Sequence, residues 1–151
     1  PVRIEEYALV PDSGGAGRFR GGLGLSRSYR LLAAEAVLQL RADRLRFAPY
    51  GLDGGATGGT SANWLGEGDE KHSIPGKVTM TMRQGELLAH HQAGGGGHGD
   101  PFTRDPQSVA RDVWNEKVTA AAARTQYGVA VDSASGRVDA AETARLRANR
   151  N

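Results

Sequence analysis

Through residue 93 apolar and polar positions alternate with a period of two, and beyond residue 105 they recur at helical spacing. Val2 and Ile4, followed by residues 7–10, read as a short strand ending at Pro11, which has no N–H to give a ladder. Residues 25–32 and 36–47 alternate more strictly. Leu38, Leu40 and Ala42 stand against Val37, Gln39 and Arg41, and Leu45 and Phe47 against Arg44 and Arg46. That pattern predicts a half-buried antiparallel sheet. Residues 77–82 set Val78, Met80 and Met82 against Thr79 and Thr81, with the methionines as core or interface filler. The Arg83-Gln84-Gly85-Glu86 turn into residues 87–92 then predicts a hairpin.

Helix signals follow. Asp105 before Pro106 places a capping carboxylate ahead of a proline suited to the first helical position, and Val109, Val113 and Trp114 make one apolar stripe. The alanine-rich stretch 119–127 stops at Gly128, residues 129–131 can form one more strand, and Asp139 opens a terminal helix. Strands followed by helices predict an α+β fold, an antiparallel β-rich sheet or sandwich with C-terminal helices. A single domain of 151 residues is expected, β-rich over 1–93, with a glycine loop at 94–101 and a helical part at 105–151.

Glycine interrupts this pattern at fixed places. Residues 14–24 and 94–99 are dense in it, and residues 51–59 lead into an irregular segment that runs to Lys71, of the length used for function or interfaces. Glycine concentrated between strands marks backbone that takes positive φ or approaches another group closely. The apolar fraction of 38%, with 6% aromatic, is low for a self-sufficient domain, so another segment or chain is expected to complete the core. A net charge of +2, interspersed acids and few aromatics argue against nucleic acid. The chain has no cysteine, hence no disulfide or thiolate site. It has no signal-like apolar run and no 18-residue apolar span, so no membrane is expected and the cytoplasm is the expected location.

Residues 11–24, reading PDSGGAGRFRGGLG, resemble the corresponding segment of the hydantoinase B family, which includes 5-oxoprolinases and acetone carboxylase large subunits. Residues 94–101 resemble its GGGGYGDP segment, with His98 in place of the tyrosine. Matches continue in family order at residues 49–55, 75–79, 100–106 and 127–129, covering nearly the whole chain. The resemblance is to the C-terminal part of a family chain several times longer, and Pro1 in place of an initiator Met agrees with a partial chain.

The resemblance implies ATP-dependent opening of a cyclic amide such as 5-oxoproline, hydantoin or a lactam. A kinase-like hydantoinase A-type subunit, holding ATP and Mg, phosphorylates the carbonyl oxygen, and the hydantoinase B-like subunit completes hydrolysis. It also implies that any divalent metal belongs to the N-terminal portion of the subunit, which is itself a partner, and that this chain is inactive alone. A subunit of an acetone or acetophenone carboxylase and a non-catalytic assembly module are the alternatives.

The residues expected to line the shared cleft are Asp12, Ser13, Arg18, Gly95, Gly96, His98 and Asp100. Open amides beside a guanidinium suit a phosphate or carboxylate. The structural alternative is a turn in which Asp12 and Ser13 bond nearby amides while Arg18 and Arg20 pair with carboxylates. A histidine where the family has tyrosine suits positioning better than obligatory acid catalysis, since the reference pKa values differ by about three units. His90 and His91, adjacent on a strand, point to opposite faces and make a poor metal pair. No metal ligands are assigned.

Overall fold

A computed structural model describes residues 1–132 and 134–150. Strands β1 (Val2–Leu9), β2 (Leu25–Leu31), β7 (Leu87–His91), β4 (Ala62–Leu65) and β5 (His72–Ser73) form an antiparallel sheet in that order. A bulge at Glu5 interrupts the β1–β2 register. Strands β3 (Glu35–Arg41) and β6 (Lys77–Arg83) form a separate antiparallel ribbon. The ribbon packs on one face of the sheet around Leu31, Leu65, Ile74, Met82 and Leu88. Met80 and Met82 belong to that core, Met82 buried within it and Met80 half-buried against it.

Two local expectations are corrected. β6 and β7 do not pair as a hairpin. β2 leads through residues 32–34 into β3 while β6 leads through residues 84–86 into β7, and the register runs from Arg30 opposite Leu87 to Glu35 opposite Arg83. The two chains therefore form one ribbon bent at a corner, where Gln84 N donates to Ala34 O and Gly85 N to Leu31 O, each at 2.9 Å. The alternation beyond residue 41 is also not a strand. Arg44 takes a left-handed φ of 65° there, and Ala42 N is drawn to Gly76 O. Conversely, the segment taken as irregular contains β4, whose four residues include Asn63 on a buried position.

The C-terminal part follows its capping chemistry. Asp105 caps α1 (Pro106–Trp114) by accepting from Gln107 and Ser108 amides, with Pro106 at the first position. Thr119 caps α2 (Ala120–Tyr127), which stops at Gly128 in the left-handed conformation, φ 61°. The strands β8 (Ala130–Val131) and β9 (Val138–Asp139) form a short ribbon, and Asp139 caps α3 (Ala140–Ala148). Val109, Val118, Ala122, Ala123, Tyr127 and Val129 make a second core. It closes onto Ala16 of the first glycine segment. An antiparallel β-rich body followed by helices is the α+β fold expected.

The glycine segments join the two cores. Residues 11–17 leave β1, residues 19–24 enter β2, residues 94–99 leave β7 and residues 51–59 precede β4, so they prolong four neighbouring strands of the sheet. Residues 11–17 bond to all three of the others: Gly21 N to Gly15 O at 2.9 Å, Gly15 N to Gly95 O at 2.8 Å and Ala56 N to Ala16 O at 2.7 Å. A strand in a flat sheet has two neighbours. Three are reached here because the segments stack in depth, which requires backbone to meet backbone with no side chain between. At Gly97 a Cβ would lie under 3.0 Å from backbone atoms of Gly15 and Ala16.

Candidate functional site

Of the seven expected site residues, Asp12 and Ser13 lie at one end of the stacked segments, Arg18, His98 and Asp100 at the other, and Gly95 and Gly96 between them. Ser13 Oγ accepts from Gly24 N at 2.8 Å and donates to Val10 O at 2.6 Å. Asp12, at a left-handed φ of 59°, accepts from Thr119 N at 2.8 Å and gives its own N–H to Lys117 O. Asp12 ties the turn after β1 to the N-terminus of α2 and Ser13 ties it to the start of β2, which matches the structural use of Asp and Ser in such turns. Gly95 lies inside the stack, its N–H donating to Gly22 O at 2.8 Å, and Gly96 lies against the Tyr50 carbonyl.

Arg18 and His98 meet at the opposite end. Phe19 and His98 exchange both backbone hydrogen bonds at 2.9 Å, and Leu52 bridges His98 on its other side. The Phe19 and His98 rings stand 6.1 Å apart, and the Arg18 guanidinium carbon is 5.7 Å from the Phe19 ring centre. All four side chains are exposed, Phe19 and Leu52 by 62% and 57%. Among the described residues Arg18 takes part in no ion pair, and its exposed guanidinium carries five N–H donors.

Asp100, next along this edge, caps the short turn Pro101–Thr103 through Phe102 N at 3.0 Å and pairs with Arg150. The Arg150 hydrogen bond, together with the Phe102 amide, holds its carboxyl below the usual range. Behind the edge, Asp112 of α1 receives Arg20 Nε at 3.0 Å and an Arg104 terminal nitrogen at 2.9 Å, and Arg104 also donates to the Arg18 carbonyl at 3.1 Å. These three side chains are largely buried and lock the loop that carries Arg18 against the helices. Arg20 finds the carboxylate that its structural role requires. Asp112 carries no signal in the sequence, because it stands 92 positions from Arg20, and Arg104, although inside the matched segment 100–106, has no spacing that marks it as a partner of Asp112. Phe19 and Leu52 lie inside the matched segments 11–24 and 49–55, but as ordinary apolar residues they were not singled out as site residues.

A second polar group lies on the sheet. The register aligns Arg27, His90 and Asn63 on three neighbouring strands, and His90 Nδ1 stands 2.5 Å from Asn63 Oδ1. Burial, reinforced by the charges of Arg27 and His91, pushes the His90 imidazole below its usual 6.5. His91 turns to the other face and meets Trp64 edge-on at 4.8 Å. Among the described residues no group of three or more His, Asp or Glu could hold a metal ion, and no helix is long and apolar enough to cross a membrane.

Residues 1–101 match the family model for hydantoinase B/oxoprolinase. The chain belongs to that family. It is 36% identical over 155 residues to the caprolactamase subunit beta of Pseudomonas jessenii, a match that covers 98% of this chain and 26% of that protein. It is 31% identical to the acetophenone carboxylase delta subunit of Aromatoleum aromaticum, over 97% of this chain and 27% of that protein. The crystal structure of the ATP-dependent caprolactamase from Pseudomonas jessenii superposes with a TM-score of 0.81 at 32% identity, covering 98% of this chain and 26% of that one. The chain thus spans about a quarter of the length of these relatives and corresponds to the C-terminal portion of the family protein.

Proposed function

We propose that this hydantoinase B-family chain forms the C-terminal part of the hydrolytic subunit of an ATP-dependent enzyme that opens a cyclic amide, and that the Arg18–His98 edge forms one wall of its site. The kinship with an ATP-dependent caprolactamase over nearly the whole chain carries this reading. The partners are the N-terminal portion of the same subunit and a kinase-like subunit that binds ATP and Mg.

A ring amide is stabilised by resonance, and ATP bound to the partner supplies an activated, phosphorylated carbonyl oxygen. This chain's residues then hold and shelter. Arg18 presents a planar fork that suits phosphate or carboxylate oxygens. Phe19 and Leu52 exclude water beside it, which strengthens every charge interaction in the enclosure. His98 positions that surface through its backbone bonds to Phe19, and Asp100 fixes where the segment ends. Gly95 and Gly96 keep the edge narrow, while Asp12 and Ser13 anchor the far end of the same backbone. The described residues do not fit a metal centre, so no step is assigned to a metal here.

The test is ADP release by the complete complex with and without a lactam, alongside the ring-opened amino acid. Lactam-stimulated turnover supports the proposal. Turnover that instead needs a ketone and bicarbonate would transfer it to the carboxylase reading, which the acetophenone carboxylase relative favours. ATP hydrolysis indifferent to both leaves the chain as an assembly module. Within an active complex, Arg18→Ala is expected to lower turnover about tenfold, equivalent to about 1.4 kcal/mol of transition-state stabilisation, with assembly intact. Unchanged turnover removes Arg18 from the site.

A further inference from the structure

One row of the sheet carries polar groups where the row beside it carries core. Tyr29, Leu88 and Leu65 stand in register on β2, β7 and β4, with Leu88 and Leu65 buried. Two residues along each strand, and so on the same face, the next row is Arg27, His90 and Asn63. Arg27 and His90 are half-buried, and Asn63 is only 1% exposed. The row lies where these strands run into the glycine segments, away from the Arg18–His98 edge at the other end of those segments. The proposed function uses none of its side chains.

Two members of this row are donors with nothing to donate to. Among the described residues the Arg27 side chain takes part in no ion pair, and its Nε is fully buried without a hydrogen-bond partner. The nearby acids are engaged elsewhere: Glu6 stands in register with Ser28, on the opposite face, while Glu5 and Glu67 both pair with Arg30. Asn63 Nδ2 is likewise buried without a partner. A buried donor left unpaired is costly, and more so when it is charged, so the row demands oxygen acceptors. His90 adds the opposite demand. Its Nδ1 stands 2.5 Å from Asn63 Oδ1, and because a carboxamide oxygen only accepts, the proton sits on Nδ1. Burial, and then the Arg27 charge, favours the neutral ring, so Nε2 keeps its lone pair at neutral pH. Nε2 makes no hydrogen bond among the described residues and is left as an acceptor beside the two unpaired donors.

We propose that Arg27, His90 and Asn63 form a binding site for a small oxyanion that keeps one proton, of the hydrogen phosphate or bicarbonate class. Side chains directly opposite on neighbouring strands start about 5 Å apart at Cβ, so Arg27 and Asn63 flank His90 within reach of one small ligand. Arg27 donates to its oxygens with a charge-matched fork, Asn63 Nδ2 is the neutral donor, and the ligand's O–H donates to His90 Nε2. Asn63 also sets the tautomer that makes Nε2 an acceptor. An ionised carboxylate side chain from another segment would satisfy Arg27 but has no proton to give His90, so a free oxyanion that retains a proton matches the whole row. The inference rests on neither the lactam nor the carboxylase reading.

Calorimetric titration of the complete complex with inorganic phosphate and, separately, with bicarbonate tests this, without nucleotide and at about pH 8, where an imidazole of this kind is neutral. Arg27→Gln is expected to bind one equivalent fewer of the preferred anion than the unmodified complex, and the comparison isolates this row from anion sites elsewhere in the assembly. Which anion binds more tightly identifies the source. Sulfate, similar to phosphate in shape but with no proton to give, is expected to bind this row at least about tenfold more weakly, because a site built to accept an O–H rejects the analogue lacking it. Arg27→Lys keeps the charge and removes the fork. It decides the matter if Arg27→Gln loses its fold, and its affinity for the preferred anion is expected to fall at least about tenfold. Equal stoichiometry and affinity in the unmodified and Arg27-substituted complexes would overturn the proposal, and would be the result if an acidic residue of another segment already occupied the row. Sulfate bound here as tightly as phosphate would also overturn it, since His90 would then take no proton from the ligand.

Discussion

Gly97→Ala tests whether the glycine segments are close-packed backbone. A Cβ at residue 97 would lie under 3.0 Å from the Ala16 carbonyl carbon and oxygen and from the Gly15 carbonyl oxygen. None of these is the movable end of a side chain, so a whole segment must shift. Overpacking of this kind costs about 1–3 kcal/mol. The shift also strains two hydrogen bonds, Gly97 N to Ala56 O and Leu52 N to Gly97 O, both 2.9 Å and each worth about 1 kcal/mol. The sum is about 3–5 kcal/mol, or a fall in melting temperature on the order of 10 °C for a chain of this size. Gly22→Ala is the control, because a Cβ there meets nothing within 4 Å, and its effect should stay within about 0.5 kcal/mol. Denaturant midpoints of the two variants provide the comparison. Equal midpoints would refute the stacked-backbone account, whatever their absolute values.

Asp112→Ala strands the Arg20 and Arg104 guanidinium groups, which are only 14% and 16% exposed, and is expected to cost about 2–4 kcal/mol after allowance for the remaining exposure. Unfolding by urea measures it, and a loss under about 1 kcal/mol would show that the cluster holds nothing in place. Acid should loosen two tethers. Arg30 and then Arg3 lower Glu5 from the usual 4.5 to about 2, and Arg145 and then Arg124 do the same for Glu142. A carboxyl depressed in the folded state contributes stability above the unfolded value, and that contribution is lost as pH falls from 4.5 toward 2. Carboxyl chemical shifts report each midpoint directly, and a midpoint near 4.5 for either residue would mean that its ion pairs do not persist in solution.

Helix ends were legible because their chemistry is local. Asp105 with Pro106, Gly128 and Asp139 each satisfy or terminate backbone groups within five positions, so neighbouring text suffices. Alternation likewise located β2, β3, β6 and β7. It could not say which strands pair. Turn chemistry at residues 83–86 is the same whether the chain reverses into a hairpin or bends from one sheet to another, and only the competing partners β2 and β3 decide that. β4 escaped notice because four residues with a buried asparagine do not establish a period.

By itself the sequence determined the family, the α+β class, the helix caps and the places where backbone must come close. Those properties reside in residue type and short spacing. Tertiary structure alone decided that four glycine segments pack backbone to backbone as prolongations of one sheet, that Arg18 and His98 share an edge while Asp12 and Ser13 anchor the other end, and that Asp112 holds Arg20 and Arg104 behind them. Glycine carries no side chain to record its neighbours. Contacts between residues 92 positions apart arise only when packing and hydrogen bonding are satisfied across the whole chain at once.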